Sequence, residues 1–164
     1  MFSAVLLAQA EKLLADARAK NLKIVTAESC TGGLIAGLLT EIAGSSDVVE
    51  RGFVTYSNDA KHELLDVPNA LIVAHGAVSA ETARAMALGA LRHARADLAV
   101  AVTGIAGPGG GTKDKPVGLV HLAAARGDRV IARECRFGDI GRREVRLASV
   151  ATALDLLCAL LQSP

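Results

Sequence analysis

Residues 98–103 read Leu-Ala-Val-Ala-Val-Thr, an apolar run with no alternation, and no other stretch limits the folds open to the chain so strongly. A strand apolar at successive positions must be covered on both faces, which requires a parallel or mixed sheet between helices. The run leads directly into Gly104-Ile105-Ala106-Gly107-Pro108-Gly109-Gly110-Gly111. Loops at strand ends are where open α/β sheets bind ligands, and glycines let backbone N–H groups approach an oxyanion or a phosphate. A flexible surface loop is the competing reading. Five glycines and a proline directly after Thr103 favour a binding loop.

The other segments supply the covering layers. Helical spacing of Val5, Leu6, Ala10, Leu13, Leu14 and Ala17 predicts a first helix over residues 3–20, followed by a short strand at 22–26. Leu34, Ile35, Leu38, Leu39 and Ile42 give a helix to about residue 43, and residues 48–57 read as a strand with Gly52 as a bulge. Ser57-Asn58-Asp59 opens a short helix that carries Lys61 and stops before Pro68. Residues 71–78 fit neither period. Ser79 caps a long helix with Glu81 in its first turn and Met86 on its inner side. Residues 117–123 and 129–137 flank Gly127-Asp128 as a hairpin, and a closing helix runs over 142–161. The expected fold class is α/β, a single three-layer α/β/α domain with a mixed sheet spanning residues 1–164.

A second strand end falls at Ala27-Glu28-Ser29-Cys30-Thr31-Gly32-Gly33. A helix starting here leaves its first N–H groups free to face a ligand, which makes Ser29 useful as a nucleophile or an anion contact. Alternatively Ser29 or Thr31 caps the helix and the glycines ease the turn. The stretch lacks the spacing of a Walker A loop, of Gly-x-Ser-x-Gly and of the dinucleotide-binding pattern. Tyr56 and Lys61 lie between the two glycine turns in sequence. A lysine beside a serine in a partly dry cleft loses basicity and can take the hydroxyl proton, a hydrolytic pair that needs no histidine. A solvated lysine is the plainer alternative. His62, His75, His93 and His121 follow no ligand spacing, and no metal site or cofactor is expected.

A net charge of +1 excludes an attractive field for nucleic acid or an acidic membrane, and with only one Tyr, three Phe and no Trp, stacking on single strands is also excluded. Arg142, Arg143 and Arg146 form the one basic cluster, either a solvated helix face or an anion clamp. Cys30, Cys135 and Cys158 are an odd set without metal-like pairing, and no stretch has the form of a signal peptide or a membrane span. The expected location is the cytoplasm. The choice between monomer and homo-oligomer stays open.

The motif of residues 27–33, Val54-Thr55-Tyr56-Ser57-Asn58 with Lys61, His75-Gly76-Ala77-Val78-Ser79, the loop 103–111 and Lys115-Pro116-Val117-Gly118, in this order, resemble the C-terminal domain of the CinA family of competence/damage-inducible proteins. The resemblance runs nearly end to end. It implies a nicotinamide mononucleotide deamidase, with Ser29 as nucleophile, Lys61 as its base, and Tyr56, Thr103 and an arginine matching Arg142 around the site. The oxyanion would point at backbone N–H groups near Cys30 and Thr31, with Gly32 in the same turn, or at the glycine loop, and the loop's Gly104, Gly107, Gly109 and Gly110 with an arginine would hold the ribose phosphate. Longer family members carry an additional N-terminal domain, so the chain resembles the stand-alone form. The rival functions are a nucleotide-sensing or protein-partner module without catalysis, and an amidase for another small amide.

Two departures from the family pattern stand out. The usual Leu-Gly-Val after the lysine helix is Leu65-Asp66-Val67, a change without consequence if that turn needs no positive φ. The segment Phe137-Gly138-Asp139-Ile140-Gly141 before Arg142 is longer than the common form, which leaves open which of Arg142, Arg143 and Arg146 reaches the ligand.

Overall fold

A computed structural model describes residues 2–162; the ends of the expected 1–164 domain, residue 1 and residues 163–164, lie outside the described residues. The elements are α1 (Ala4–Ala19), β1 (Ile24–Glu28), α2 (Leu34–Glu41), β2 (Val49–Val54), α3 (Asn58–Leu65), α4 (Asn69–His75), α5 (Ala80–Arg92), β3 (Leu98–Gly104), β4 (Leu119–Arg126), β5 (Arg129–Arg136) and α6 (Arg142–Gln162). They form a mixed sheet in the order β2-β1-β3-β4-β5, in which β1 is parallel to β2 and β3, and β4 is antiparallel to both β3 and β5. The fold class expected from the sequence is the one observed.

The two faces of the sheet differ in bulk. Leu98, Val100 and Val102 of β3 pack with Val120 and Leu122 of β4 under α1, α2 and α6. Ala99, Ala101, Ala123 and Ala125 face the other way, toward Ala83, Met86, Ala87 and Ala90 of α5. Small residues on both sides let α5 approach the sheet closely. Gly89 extends this to α3, because a Cβ there would lie 2.0 Å from the Leu65 carbonyl oxygen. The end of the lysine-bearing helix is thus held against α5.

Side-chain caps set three helix starts: the Ser3, Ser57 and Ser79 hydroxyls accept from the N–H groups of Leu6, Ala60 and Thr82 at 3.2, 3.0 and 3.1 Å. Among the described residues no helix is long and apolar enough to cross a membrane.

Several local expectations change. β1 starts and ends two residues later than the apolar run suggested, so Glu28 belongs to the strand. Residues 71–78 divide between α4 and a short extended lead into α5. The bulge in β2 is at Glu50, since Ile24 pairs with Val49 and Val25 with Arg51. Gly52 serves close approach instead, as a Cβ there would come within 2.8 Å of Thr26 Oγ1 and 3.1 Å of the Ala36 methyl. The turn at Asp66 does need a positive φ, +55. There Asp66 gains an ion contact from its carboxylate to His93 Nε2 at 2.5 Å, which a glycine could not make.

Candidate active site

β1, β2 and β3 end side by side, and the chain leaves each of them into a loop that contributes to one cavity of about 230 Å³. Ser29 is the first residue beyond β1. Its N–H donates to the Val102 carbonyl at 3.0 Å and its own carbonyl accepts from Gly32 N–H at 3.0 Å, so the backbone of the serine is fixed on both sides.

Lys61 reaches Ser29 from α3 with its side chain only 1 % exposed. Its Nζ lies 3.0 Å from Ser29 Oγ, 2.8 Å from the Thr55 carbonyl and 3.5 Å from the Ser57 carbonyl. The two carbonyls can only accept. A neutral amine therefore directs its two hydrogens at them and leaves its lone pair for the serine hydroxyl. Burial pushes the Lys61 ammonium below its ordinary value, and no carboxylate opposes that. The contact is of a length at which a serine hydroxyl can pass its proton to a neutral amine.

The helix that follows is closed to ligands, contrary to the expectation of free N–H groups. Glu28, fully buried at the end of β1, takes the Gly33 and Ile35 N–H groups on Oε2 at 3.1 and 3.0 Å and the Ala36 N–H on Oε1 at 2.9 Å. Its carboxylate holds the start of α2 where a bound anion would otherwise sit. Glu28→Ala strands one buried and two part-buried donors, so thermal or denaturant unfolding should report a loss of about 2 to 3 kcal/mol. An unchanged midpoint would contradict the cap.

Cys30 lines the cavity beside Ser29, but burial raises its thiol to about 11, so it stays protonated at neutral pH. On the opposite wall Thr103 Oγ1 donates to the Ala77 carbonyl at 2.7 Å, and Lys115 Nζ donates to the His75 and Val78 carbonyls at 2.7 and 2.8 Å. These bonds tie the strand end and the glycine loop to the segment before α5. At the mouth Arg142 donates from Nη1 to the Gly107 carbonyl and from Nη2 to the Tyr56 hydroxyl, each at 2.9 Å.

The cavity thus unites Ser29, Cys30, Tyr56, Lys61, Thr103, Gly104 and Arg142. Thr31, Gly32, Gly107, Gly109 and Gly110 do not line it. Thr31 is buried, and Gly107 contributes through its carbonyl contact with Arg142. Of the three arginines, Arg142 is at the cavity, Arg146 reaches behind the serine turn, and Arg143 is exposed. Sequence reasoning missed Asn58, Ala77, Val78 and Ala106. Asn58 had a signal, because it precedes Lys61 by three positions on one helix face. The others are small apolar residues with no chemical mark. A larger open hollow of about 680 Å³ lies at the other end of the sheet, between Leu22, Leu91 and Gly127-Asp128, and is lined by none of the site residues expected from the sequence.

The family model described as CinA C-terminal domain matches residues 7–161. The chain is 51% identical over 142 residues to nicotinamide-nucleotide amidohydrolase PncC of Escherichia coli, covering 85% of each. It is 54% identical over 141 residues to a CinA-like protein of Geobacter sulfurreducens, but covers only 34% of that longer protein, about a third of its length. Among solved structures, competence/damage inducible protein CihA from Agrobacterium tumefaciens superposes with a TM-score of 0.97 at 57% identity, covering 99% of each chain.

Proposed function

The chain belongs to the CinA family, and from that premise we propose that it hydrolyses the carboxamide of nicotinamide mononucleotide, giving nicotinic acid mononucleotide and ammonia. The observation that carries the reading is the buried 3.0 Å contact between Lys61 Nζ and Ser29 Oγ, which a binding module has no use for. Neutral Lys61 takes the Ser29 proton as Oγ attacks the carboxamide carbon. The carbonyl becomes an oxyanion. As the tetrahedral intermediate collapses, the C–N bond breaks and the Lys61 ammonium passes its proton to the departing amine, which leaves as ammonia. Water, deprotonated by the same amine, then attacks the acyl-serine ester and releases the acid. Tyr56, hydrogen-bonded to Arg142, stands beside this path at the cavity mouth.

Arg142 is the phosphate contact in this reading. Its guanidinium is exposed at the mouth, where a ribose phosphate extends when the pyridine ring is at Ser29. Arg142→Ala should weaken substrate binding by roughly 1.5 to 3 kcal/mol, about 10- to 150-fold. Arg143, turned about 100° around the helix, should matter much less. Binding constants for the two variants check this, and equal small effects would return the phosphate to the glycine loop. Three free thiols fit a reducing compartment, and we place the reaction in the cytoplasm.

The deciding experiment is ammonia release by the purified protein from nicotinamide mononucleotide, nicotinamide, its riboside and NAD. Release from the mononucleotide in preference to the others supports the proposal. Release from another amide alone makes the protein an amidase of different specificity, and release from none leaves a binding module.

A further inference from the structure

We propose that Arg146 is a positioning residue for catalysis: it holds the peptide units of the serine turn from behind and so keeps Ser29 Oγ aligned with Lys61 and with the reacting carbonyl. This rests on the amide-hydrolase reading above. Arg146 lies one turn after Arg142 on α6, is half-buried and does not itself line the cavity. It donates instead from Nε to the Cys30 carbonyl at 3.1 Å and from Nη2 to the Thr31 carbonyl at 2.9 Å.

In a trans peptide unit the N–H points away from the carbonyl. Holding the Cys30 and Thr31 carbonyls toward α6 therefore turns the N–H groups of Thr31 and Gly32 away from α6. Gly32 follows this rule, since its N–H donates to the Ser29 carbonyl at 3.0 Å.

The rest of the turn is pinned by its own pairing. The Ser29 N–H pairs with Val102, Gly32 with Ser29, Leu34 with Thr31 and Gly37 with Gly33, while Glu28 takes those of Gly33, Ile35 and Ala36. Arg146 adds the side-chain donors from α6 that fix the two peptide units directly after the nucleophile, the geometry on which a positioned attack depends. Gly32 is adapted to the same grip. It holds φ at +57, and a Cβ there would stand 3.4 Å from Arg146 Nη2.

The test compares wild type, Arg146→Lys and Arg146→Ala in two reactions. The first is deamidation of nicotinamide mononucleotide, read as kcat and KM. The second is labelling by a fluorophosphonate, in which Ser29 Oγ bonds to phosphorus, fluoride leaves with the P–F electron pair, the hydroxyl proton passes to Lys61, and the phosphoryl oxygen occupies the oxyanion position. Both variants should lose roughly 10- to 100-fold in kcat and in labelling rate, with KM and the pH dependence of the rate little changed. Added guanidinium should restore part of the activity of Arg146→Ala, a rescue that a merely structural loss would not show. Active-site titration and melting temperature correct for any unfolded fraction. A raised KM with kcat retained would make Arg146 a substrate contact, and loss explained wholly by the folded fraction would make it structural; either overturns the proposal. Wild type that labels but releases no ammonia from the mononucleotide refutes the substrate, while the labelling comparison still decides the role of Arg146.

Discussion

Ser29→Ala is expected to leave a folded protein that still binds nicotinamide mononucleotide and to release ammonia at less than about one-thousandth of the wild-type rate. The substitution removes one oxygen from a side chain already almost buried, and Lys61 keeps its contacts to the Thr55 and Ser57 carbonyls. The fold has little reason to respond. Chemistry has every reason to, because among the described residues no other hydroxyl lies within hydrogen-bonding distance of Lys61. Cys30 is the neighbouring alternative, but a thiol held at about 11 is almost wholly protonated under assay conditions near neutral pH. Cys30→Ala should therefore keep most of the turnover. Steady-state rates for the two variants, with mononucleotide binding measured separately by calorimetry, decide the matter, and an inactive Cys30→Ala beside an active Ser29→Ala would sink the assignment.

Lys61 carries the second large effect. In the proposed mechanism it must be neutral to start the reaction, so the rate should rise with pH along its ionisation and level off above it. Burial displaces that ionisation downward from the ordinary 10.5, and the pyridinium charge of a bound mononucleotide would push it the same way. Lys61→Arg keeps a cation near Thr55 but cannot surrender a proton in this range, and it should be nearly inactive. Lys61→Ala is less informative, since it removes charge and base together. The pH profile of kcat for wild type and the turnover of Lys61→Arg are the measurements. Near wild-type turnover in Lys61→Arg would reduce the lysine to an anion contact.

The legible part of the sequence was where one residue type carries one physical demand. The unalternating run in β3 required helices on both faces, and the two glycine turns at strand ends gave the position of the cavity. Ser57 and Ser79 marked helix starts as capping hydroxyls do. What pattern could not show was pairing at a distance. Glu28 was set down as part of a turn, although its carboxylate fills the helix end that the turn was expected to leave open. The arginines look alike in sequence, yet a single helical turn sends Arg142 to the mouth and Arg146 behind the serine. Thr31 was expected to face the ligand and is buried, because a turn residue next to a nucleophile can point either way. Gly52 resembled a bulge because glycine marks both bulges and close approaches, and only the register of β2 distinguishes them.

The burial of Lys61 has a further consequence, for the folding equilibrium itself. In the unfolded chain the amine titrates near its ordinary 10.5, and in the folded chain below it, so between these two values unfolding takes up a proton. Over that window the unfolded state binds more protons and stability rises with pH. Below the folded value both states hold the proton, and the cost of sealing an ammonium in the interior is felt in full. Thermal unfolding followed across the window should show this slope in wild type and its loss in Lys61→Met, whatever the two proteins' absolute stabilities; parallel curves would remove the linkage. Within that window folding releases the proton that the proposed base has to lose, so burial of one side chain links the stability of the fold to the chemistry proposed for it.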